Sequence, residues 1–402
     1  MRVKLSLQRL LGCCLLFGLT AALPIFADDD DHEGDHQDGK TLLVDNDKVQ
    51  CPTATFTKIQ DAVNAAANGA TIRVCAGIYK EQVTITKSLT INGDNGAIVM
   101  PTAVVTNSTS LASGNPIAAV ILVMNSTEVN LSGLTVDGAN NGITGCAPNL
   151  IGVYYRNSSG NVQKNTVRNM KLGAGLEGCQ SGLGIFVQSG LGKSKVTVDT
   201  NSVHDFQKNG ITGNEVGTSV TVLRNVVAGV GPTTGAAQNG IQIAFGATGS
   251  VDSNTSANHV WSPCVSVTVC NASALDILVY LSDGVEIKNN IAGRSQGGVF
   301  VQANNSNVHD NTVFDTLIFD GIGFAGNGNK ASNNTVTKSD ESGIFVQGNN
   351  NKVTGNTIQE APIGVFKVTG STGTVIQGNT YINVPIATVD PAGPGSTSSP
   401  YR

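Results

Sequence analysis

The segment Gly298-Val299-Phe300-Val301-Gln302 decides the fold, because the chain repeats it at a regular interval. Variants of this glycine-apolar-X-apolar phrase begin at Gly321, Gly343 and Gly364, so successive copies start 21 to 23 residues apart. A second phrase alternates with the first: Asn165-Thr166-Val167, Asn201-Ser202-Val203, Asn225-Val226-Val227, Asn311-Thr312-Val313, Asn334-Thr335-Val336, Asn356-Thr357-Ile358 and Asn379-Thr380-Tyr381. A fixed period of this size is the sequence signature of a solenoid.

Each period contains short runs in which apolar residues alternate with polar ones, as in Val196-Thr197-Val198 and Val285-Glu286-Ile287. This alternation predicts β-strands, and the glycines and asparagines between the runs predict turns. Three strands and three turns fit one coil of an all-β, right-handed, single-stranded parallel β-helix, whose coils stack about 4.8 Å apart. The recurrent asparagine would then bond to its counterpart on the next coil.

The two ends of the chain differ from this repeat. Residues 1–27 are typical of a secretory signal peptide, with a basic start, an apolar stretch and a plausible cleavage point at Ala27. A lipoprotein signal at Cys13 is the alternative. We predict an acidic disordered linker at 28–40, one β-helix domain at 41–389 and a disordered tail at 390–402. Two histidines, His32 and His36, lie in the linker, which we interpret as solvated and without a metal site.

Charge restricts the partners. Removal of the signal takes away three basic residues and no acid, so the net charge changes from −5 to 21 − 29 = −8. A chain this acidic is not expected to bind nucleic acid. No segment after the signal is long and apolar enough to predict a membrane span. We predict a monomer that is secreted, periplasmic or at the cell surface.

Residues 57–69 are predicted to form a short helix that covers the first coil. Thr57 and Gln60 have the spacing of a capping box, and Asn68-Gly69 ends the pattern. An uncovered first coil would expose strand edges and the end of the core. The helix would therefore act as an N-terminal cap, within residues 41–95.

This N-terminal region resembles a known family. Phe56-Thr57-Lys58-Ile59-Gln60-Asp61-Ala62-Val63, Ala76-Gly77-Ile78-Tyr79-Lys80-Glu81 and Leu89-Thr90-Ile91-Asn92-Gly93 look like the opening of pectin methylesterases. More broadly, the chain resembles secreted right-handed β-helix proteins of the pectate-lyase-like superfamily. The resemblance implies the fold and a polysaccharide ligand. The Leu-Gly-Arg-Pro-Trp segment of the esterases, the Asp-Pro-His of alginate epimerases and the Gly-His-Gly of polygalacturonases are all absent.

Six cysteines remain after the signal, which in a secreted chain predicts disulfides. Cys51 and Cys75 bracket the predicted helix, and Cys264 and Cys270 would close a small loop. Cys146 and Cys179 precede glycine phrases on adjacent coils, within disulfide reach. A metal site is the alternative, and no CxxC pair supports it.

Long insertions occur at one turn of several coils. The gap from the asparagine phrase to the next glycine phrase is six to eight residues in four coils, but the chain runs from 167 to 184, from 227 to 240 and from 255 to about 275 in others. Insertions at one turn project from one face, which is commonly the binding face. The strand beside this lip is expected to point its phenylalanines and amides outward.

We therefore predict a polysaccharide groove along this strand stack. Its candidate substrate-binding residues are Tyr154, Arg156, Phe186, Gln188, Gln242, Trp261, Phe300 and Gln302. Aromatic rings cover sugar faces, and amides bond sugar hydroxyls. The alternative is that loops cover the outward rings as a satellite core, and for the phenylalanines this alternative is favoured.

The candidate catalytic residues are Asp276, His259 and Arg294. Asp276 is expected to point outward at mid-stack beside the longest insertion, with the other two near it. Hydrolysis needs two carboxylates, whereas lyase chemistry needs a base and a charge neutraliser such as Arg or Ca²⁺. Each candidate has the alternative of being a turn or surface residue. Ca²⁺ is thus the one cofactor left open.

The sequence predicts a secreted β-helix protein that binds a polysaccharide of the uronide or pectin class, and it leaves cleavage open. The alternative is a non-catalytic, adhesin-like β-helix that binds a cell-surface partner. A copper-delivery function, suggested by other β-helix proteins, would need clusters of Met, His and Cys that the sequence lacks.

Overall fold

A computed structural model of the chain describes residues 41–190, 194–270 and 273–390. The predicted signal peptide (1–27), the predicted linker (28–40) and residues 391–402 of the predicted tail lie outside the described residues. Asp390, the first residue of that tail, is described, and its carboxylate accepts a hydrogen bond of 2.8 Å from Lys367 Nζ.

The strands form three parallel sheets, which we call A, B and C. Sheet A contains β1 (Leu42–Val44), β2 (Thr71–Val74), β5 (Thr90–Gly93), β9 (Val129–Ser132), β12 (Gly160–Gln163), β15 (Ser194–Asp199), β18 (Thr218–Leu223), β21 (Thr248–Asp252), β24 (Glu286–Lys288), β27 (Asn307–His309), β30 (Lys330–Ser332), β33 (Lys352–Thr354) and β36 (Val375–Gln377). Sheet B contains β3 (Gly77–Tyr79), β6 (Ala97–Val99), β10 (Thr135–Asp137), β13 (Thr166–Arg168), β16 (Ser202–His204), β19 (Val226–Thr233), β22 (Thr255–Trp261), β25 (Ile291–Gly293), β28 (Thr312–Thr316), β31 (Thr335–Ser339), β34 (Thr357–Gln359) and β37 (Thr380–Ile382). Sheet C contains β4 (Val83–Ile85), β8 (Pro116–Met124), β11 (Asn149–Arg156), β14 (Leu183–Gln188), β17 (Asn209–Asn214), β20 (Asn239–Ala244), β23 (Leu275–Tyr280), β26 (Gly297–Gln302), β29 (Ile322–Ala325), β32 (Ser342–Gln347), β35 (Ile363–Lys367) and β38 (Ile386–Val389), with β7 (Ser108–Thr109) antiparallel to β8.

The register confirms the predicted parallel β-helix. Each strand pairs with the equivalent strand one coil away, and like residues stack on like residues, as in the row Ile185, Ile211 and Ile241 of sheet C. Valines stack in the same way in sheet A, where Val196 lies opposite Val220. The stacked side chains form one continuous hydrophobic core along the described part of the solenoid.

An asparagine ladder holds the turn between sheets A and B. Each side-chain Nδ2 donates to the Oδ1 of the next asparagine over 2.9–3.1 Å. The members are Asn165, Asn201, Asn225, Asn254, Asn290, Asn311, Asn334, Asn356 and Asn379. The prediction that the recurrent asparagine bonds to the next coil is thus confirmed, and buried turn groups are satisfied by the repeat itself.

The helix α1 (Ile59–Ala65) is shorter than predicted and is capped differently. Lys58 occupies the N-cap position and makes no side-chain cap bond, so the predicted capping box at Thr57 is wrong. The carboxylate of Glu81 instead accepts hydrogen bonds from the backbone nitrogens of Ile59 (2.7 Å) and Gln60 (3.0 Å). A carboxylate is favourable at a helix N-terminus because it meets free N–H groups and the positive end of the helix dipole.

The three predicted disulfides are confirmed: Cys51–Cys75, Cys146–Cys179 and Cys264–Cys270. The second joins turns on adjacent coils, and the third lies within an insertion. Disulfides persist in oxidising compartments, so they agree with a protein outside the cytoplasm.

Candidate functional site

The insertions lie on one edge of the solenoid, as predicted. They separate strands of sheet B from strands of sheet C, at residues 138–148, 169–182 and 234–238 and, after β22, at 262–270 and 273–274. The segment between β6 and β8 occupies the same edge in an earlier coil. The outer face of sheet C therefore borders this lip.

Asp276 does not point outward, so that prediction is wrong. The predicted alignment of this strand with its neighbours was shifted by two residues. Ile277 pairs with Ile241, and Leu278 pairs with Gln242, so Leu278 occupies the outward row. Asp276 stands where Gly240 and Gly298 stand on the neighbouring coils. The error arose because the glycine that marks this strand in other coils is replaced by aspartate here, so apolar alternation alone set the register.

The core makes room for Asp276 through small side chains in sheet B. The inward row carries Val203 and Val227 on earlier coils, but Ser256 and Ala292 at this level. A Cβ at Gly210 would clash with Val227 Cγ1, which explains why glycine recurs in this row. The smaller residues leave space for a carboxyl group inside the core.

Asp276 and His259 do come together, but inside the molecule. Both side chains are 0% exposed, and His259 Nδ1 lies 3.0 Å from Asp276 Oδ1. Ser295 Oγ donates to the same carboxylate oxygen over 2.7 Å. Burial raises the pKa of Asp276 to about 6, and the bonds from His259 and Ser295 oppose that rise. A pair so deeply buried does not contact a polymer on the surface.

Arg294 lies apart from this pair on the exposed edge. Its guanidinium carbon lies 5.7 Å from the centre of the Phe314 ring, and it lines a groove of about 610 Å³ with Asp315, Lys338 and Glu360. These four residues occupy the same left-handed turn position on successive coils. Their charges alternate in sign along the stack, so neighbouring turns compensate each other, as expected of surface turn residues.

The outward rings at the N-terminal end of sheet C are covered. Tyr154 is 0% exposed and stacks on Phe186 at 5.1 Å between ring centres. The tyrosine hydroxyl donates to Gln188 Oε1 over 2.7 Å, and the same oxygen accepts from the backbone nitrogen of Leu111. The segment that carries Leu111 thus closes this end of the face, and the satellite core is the alternative that holds for these rings.

The remaining predicted binding residues have mixed environments. Arg156 donates from Nε to the backbone oxygen of Thr109 over 3.1 Å, so it faces the same covering segment. Phe300 is 1% exposed, whereas Gln302 is half-buried. Trp261 is half-buried and donates from Nε1 to the backbone oxygen of Gly235, which joins the end of β22 to the 234–238 insertion. Their predicted contacts with substrate stay predictions.

A polar region, which we call the amide patch, lies on the outer face of β17 and β20. It contains Asn209, Asn214, Asn239, Gln242 and Thr212. Gln242 is half-buried and bonds both to Asn209 Nδ2 (3.1 Å) and to Asn214 Oδ1 (3.2 Å). The Oδ1 atoms of Asn209 and Asn239 are buried and have no hydrogen-bond partner among the described residues. Such atoms are rare and costly in folded proteins.

An apolar rim borders the amide patch at the turn between sheets C and A. It consists of Val216, Phe245, Tyr280 and Leu281, of which Val216 is 75%, Phe245 44% and Leu281 55% exposed. Phe245 packs edge-on against Tyr280 with 5.5 Å between ring centres. The patch and its rim together present amides beside an exposed aromatic ring.

The backbone of this rim is unusual. Phe245 (φ 58°) and Leu281 (φ 52°) adopt the left-handed conformation. Asn125 and Asn157 occupy the equivalent turn position on earlier coils. At all four positions the backbone nitrogen donates to the backbone oxygen of the last strand residue on the next coil. Asparagine tolerates this conformation, but bulky residues do so at a cost. Sequence reasoning missed this rim, although the loss of asparagine from a recurring turn could have revealed it.

Lys208 directly precedes the amide patch in the chain. Its Nζ donates to the backbone oxygen of Ala237 over 2.7 Å, within the 234–238 insertion. Burial lowers the pKa of Lys208 to about 8. No carboxylate among the described residues forms an ion pair with it. Lys208 is therefore a desolvated cation without a described counter-charge.

The sequence of this β-helix matches one known protein family. A family model described as "Periplasmic copper-binding protein (NosD)" matches residues 193–393, which are 201 of the 402 residues. The chain belongs to the NosD family. The predicted resemblance to pectin methylesterases concerns residues 41–95, outside the NosD match, and stays a prediction. No curated protein matches the chain in sequence.

Solved structures share the fold at low sequence identity. They include the A-module of mannuronan C-5 epimerase AlgE4 from Azotobacter vinelandii (14% identity, TM-score 0.50, 90% of this chain and 97% of that one). A GH136 lacto-N-biosidase from Eubacterium ramulus is similar over 86% of this chain and 68% of its own (10% identity, TM-score 0.54). XylC in complex with xylose matches over 85% and 86% (9% identity, TM-score 0.51). At these identities the likeness shows the parallel β-helix alone.

The location of this NosD-family protein agrees with the prediction. Membership of a periplasmic family and the three disulfides indicate a secreted or periplasmic protein. Within residues 41–190, 194–270 and 273–390, no helix has the length and apolarity needed to cross a membrane.

Copper is the metal that the family description implies, and the described donor set does not fit it. Copper is bound by thiolate, thioether and imidazole ligands. All six described cysteines are in disulfides, and the one described group of three metal-type ligands is Cys51, Cys75 and Asp94, which includes a disulfide. The three described histidines each lie against an acidic side chain. We derive no step through copper.

Proposed function

We propose that this NosD-family protein binds a polysaccharide of the uronide class at the amide patch, with the apolar rim as a platform for a sugar ring. The observation that carries the proposal is the exposed Phe245 ring beside the half-buried amides of Asn214 and Gln242. Sugar hydroxyls donate and accept hydrogen bonds, so a glycan lying over this ring would bond to both amides.

The rim supports the same proposal. Phe245 holds an exposed ring in a backbone conformation that disfavours it, and such strain is concentrated at binding sites. An exposed ring beside amides is the usual composition of a sugar site, because the ring covers the apolar sugar face while the amides bond hydroxyls. The fold is also shared with proteins named for mannuronan, lacto-N-biose and xylose.

Lys208 supports an acidic sugar over a neutral one. A desolvated ammonium gains most from an anionic partner, and a uronate carboxylate beside the amide patch would supply one. Cleavage is not part of the proposal, because Asp276 and His259 are both 0% exposed. Ca²⁺ dependence stays a prediction.

Binding to polygalacturonate, alginate and a neutral glucan, measured by isothermal titration calorimetry, tests the proposal. Each lost hydrogen bond is worth about 1 kcal/mol, so N214A/Q242A should weaken binding of every ligand by about tenfold or more. Lys208→Gln should weaken polyuronate binding by about tenfold or more and leave neutral glucan unchanged. Asn349→Ala, in an exposed ladder at a distant turn, is the matched control.

The outcomes separate the parts of the proposal. If the wild type binds none of the three glycans, or if N214A/Q242A binds as well as the wild type, the site is wrong. If neutral glucan binds more tightly than both polyuronates, the uronide class is wrong although the site stands. Formation of unsaturated products, followed by ultraviolet absorbance, would add cleavage to the function.

A further inference from the structure

The pair formed by Asp276 and His259 has no role in the proposed binding site, yet the chain has altered three core positions around it. Asp276 replaces a recurring glycine, and Ser256 and Ala292 replace recurring valines. Asp276 Oδ2 and His259 Nε2 are buried and have no hydrogen-bond partner among the described residues. A polar cluster with unsatisfied atoms destabilises a core, so its presence suggests a purpose beyond packing.

Among the residues that the structure describes, one titratable group lies beside Asp276, namely His259 of β22. On sheet C its neighbours are Gly240 of β20 and Gly298 of β26, which have no side chains. Ser256 Oγ donates to the backbone oxygen of Asp276 over 3.1 Å, and Phe206 packs on the imidazole with 5.8 Å between ring centres. Ser295, from the turn after β25, supplies the remaining contact.

The cluster is connected to the insertion after β22 through Gln296, which follows Ser295 and is 0% exposed. Gln296 Nε2 donates to the backbone oxygens of Trp261 (2.8 Å) and Cys264 (3.0 Å). Its Oε1 accepts from the backbone nitrogen of Ala274 over 2.9 Å. The backbone nitrogen of Gln296 also donates to the backbone oxygen of His259 over 3.1 Å. A displacement of Ser295 and His259 would thus reach both ends of the insertion.

We propose that the Asp276–His259 pair is a proton-sensitive anchor for the segment from Trp261 to Cys264, closed when Asp276 is protonated and loosened when it is ionised. An ionised Asp276 leaves Oδ2 as a buried negative atom without a donor, and only an opening that admits water satisfies it. Protonation of Asp276 removes the buried negative charge, so water is no longer needed at Oδ2. Asp276 therefore binds its proton more tightly in the closed arrangement than in the open one.

The direction and the pH window follow from linkage. Burial raises the pKa of Asp276 from 3.8 to about 6, so the closed state holds its proton up to about pH 6. A carboxyl that becomes hydrated returns toward its ordinary pKa. The equilibrium constant for opening should therefore rise about tenfold between pH 5 and pH 7 and level off above.

Hydrogen exchange of the full-length protein, read by mass spectrometry on a peptide covering residues 255–264, tests the anchor. After correction for intrinsic exchange, the wild type should exchange about tenfold faster at pH 7 than at pH 5. Asp276→Asn should remove the difference. His204→Gln, which removes a half-buried histidine bonded to Asp205 on an earlier coil, should retain it. Trp261, the single tryptophan, gives a fluorescence readout of the same transition.

A second variant distinguishes titration from a structural role. The bond from Ser295 Oγ opposes the rise of the pKa, so Ser295→Ala should move the midpoint upward by about one pH unit. This shift remains measurable if Asp276→Asn fails to fold. The proposal is overturned if the wild type shows no pH dependence beyond intrinsic exchange, if Asp276→Asn retains the tenfold change, or if Ser295→Ala leaves the midpoint unmoved.

Discussion

Replacement of Asn311 by alanine should lower the free energy of unfolding by about 4 kcal/mol. Asn311 is 1% exposed and lies inside the asparagine ladder. Its Nδ2 donates to the backbone oxygens of Ile287 (3.0 Å) and His309 (2.9 Å) and to Asn334 Oδ1 (2.9 Å). Its Oδ1 accepts from the backbone nitrogen and the Nδ2 of Asn290, both over 2.9 Å.

The magnitude follows from this count. Each of the five bonds contributes about 1 kcal/mol net, and one Nδ2 hydrogen is shared, so about four bonds are lost in full. The partners on the adjacent coils stay buried and unsatisfied, which keeps the loss from being recovered by water. Asn379, the last member, makes three such bonds and is half-exposed, so Asn379→Ala should cost about 1–2 kcal/mol.

Urea unfolding monitored by circular dichroism measures both variants against the wild type. Equal m-values would show that the same surface is exposed in each case. A loss below about 1 kcal/mol for Asn311→Ala would refute the ladder as a major source of stability. An equal loss at Asn379 would refute the argument from burial.

Four further predictions concern the covalent frame, the cap, the rim and the charge of Lys208. Replacing Cys146 and Cys179 by serine should cost about 4 kcal/mol, against about 2 kcal/mol for Cys264 and Cys270, because the first bridge spans 33 residues and the second 6; urea midpoints check the order. Glu81→Ala should lower stability by about 1–2 kcal/mol and Thr57→Ala should leave it unchanged, since Glu81 caps α1; the opposite order in thermal unfolding would restore the predicted capping box. Leu281→Asn should raise stability by about 1 kcal/mol because asparagine tolerates the left-handed turn, and a lower melting temperature would contradict the assignment of strain. Polyuronate affinity should fall as the pH rises through about 8, where free Lys208 loses its charge, and Lys208→Gln should lack this dependence in titrations at pH 6.5 and 9.

The repeat could be recognised in the sequence because it depends on the local conformational preferences of a few residue types. Glycine and asparagine predict turns because they tolerate the backbone conformations that turns require. Alternating β-branched residues predict strands. Each coil can therefore be recognised within about 22 residues of sequence. The insertions and the Cys146–Cys179 bridge followed from counting along the same period, whereas the other two bridges followed from the predicted helix and from a short loop. None of these inferences required knowledge of what a side chain touches.

The site was decided by tertiary structure. Alternation within a strand predicted that Phe186 and Tyr154 face outward. Only the folded chain brings the backbone nitrogen of Leu111 to the side-chain oxygen of Gln188, 77 residues further along the sequence. Asp276 was misplaced because its glycine marker is missing, and the space that admits it comes from Ser256 on a different sheet.

The sequence by itself determined the solenoid and its turn ladder, because these depend on period and local backbone preference, and the positions of the cysteines predicted the three bridges. Only the tertiary structure decided which outward residues remain accessible and which acids are buried, because both depend on what neighbouring coils and insertions place over them. The amide patch and its strained rim belong to the second kind. Their unsatisfied oxygens and exposed ring are properties of the assembled face, not of any one coil.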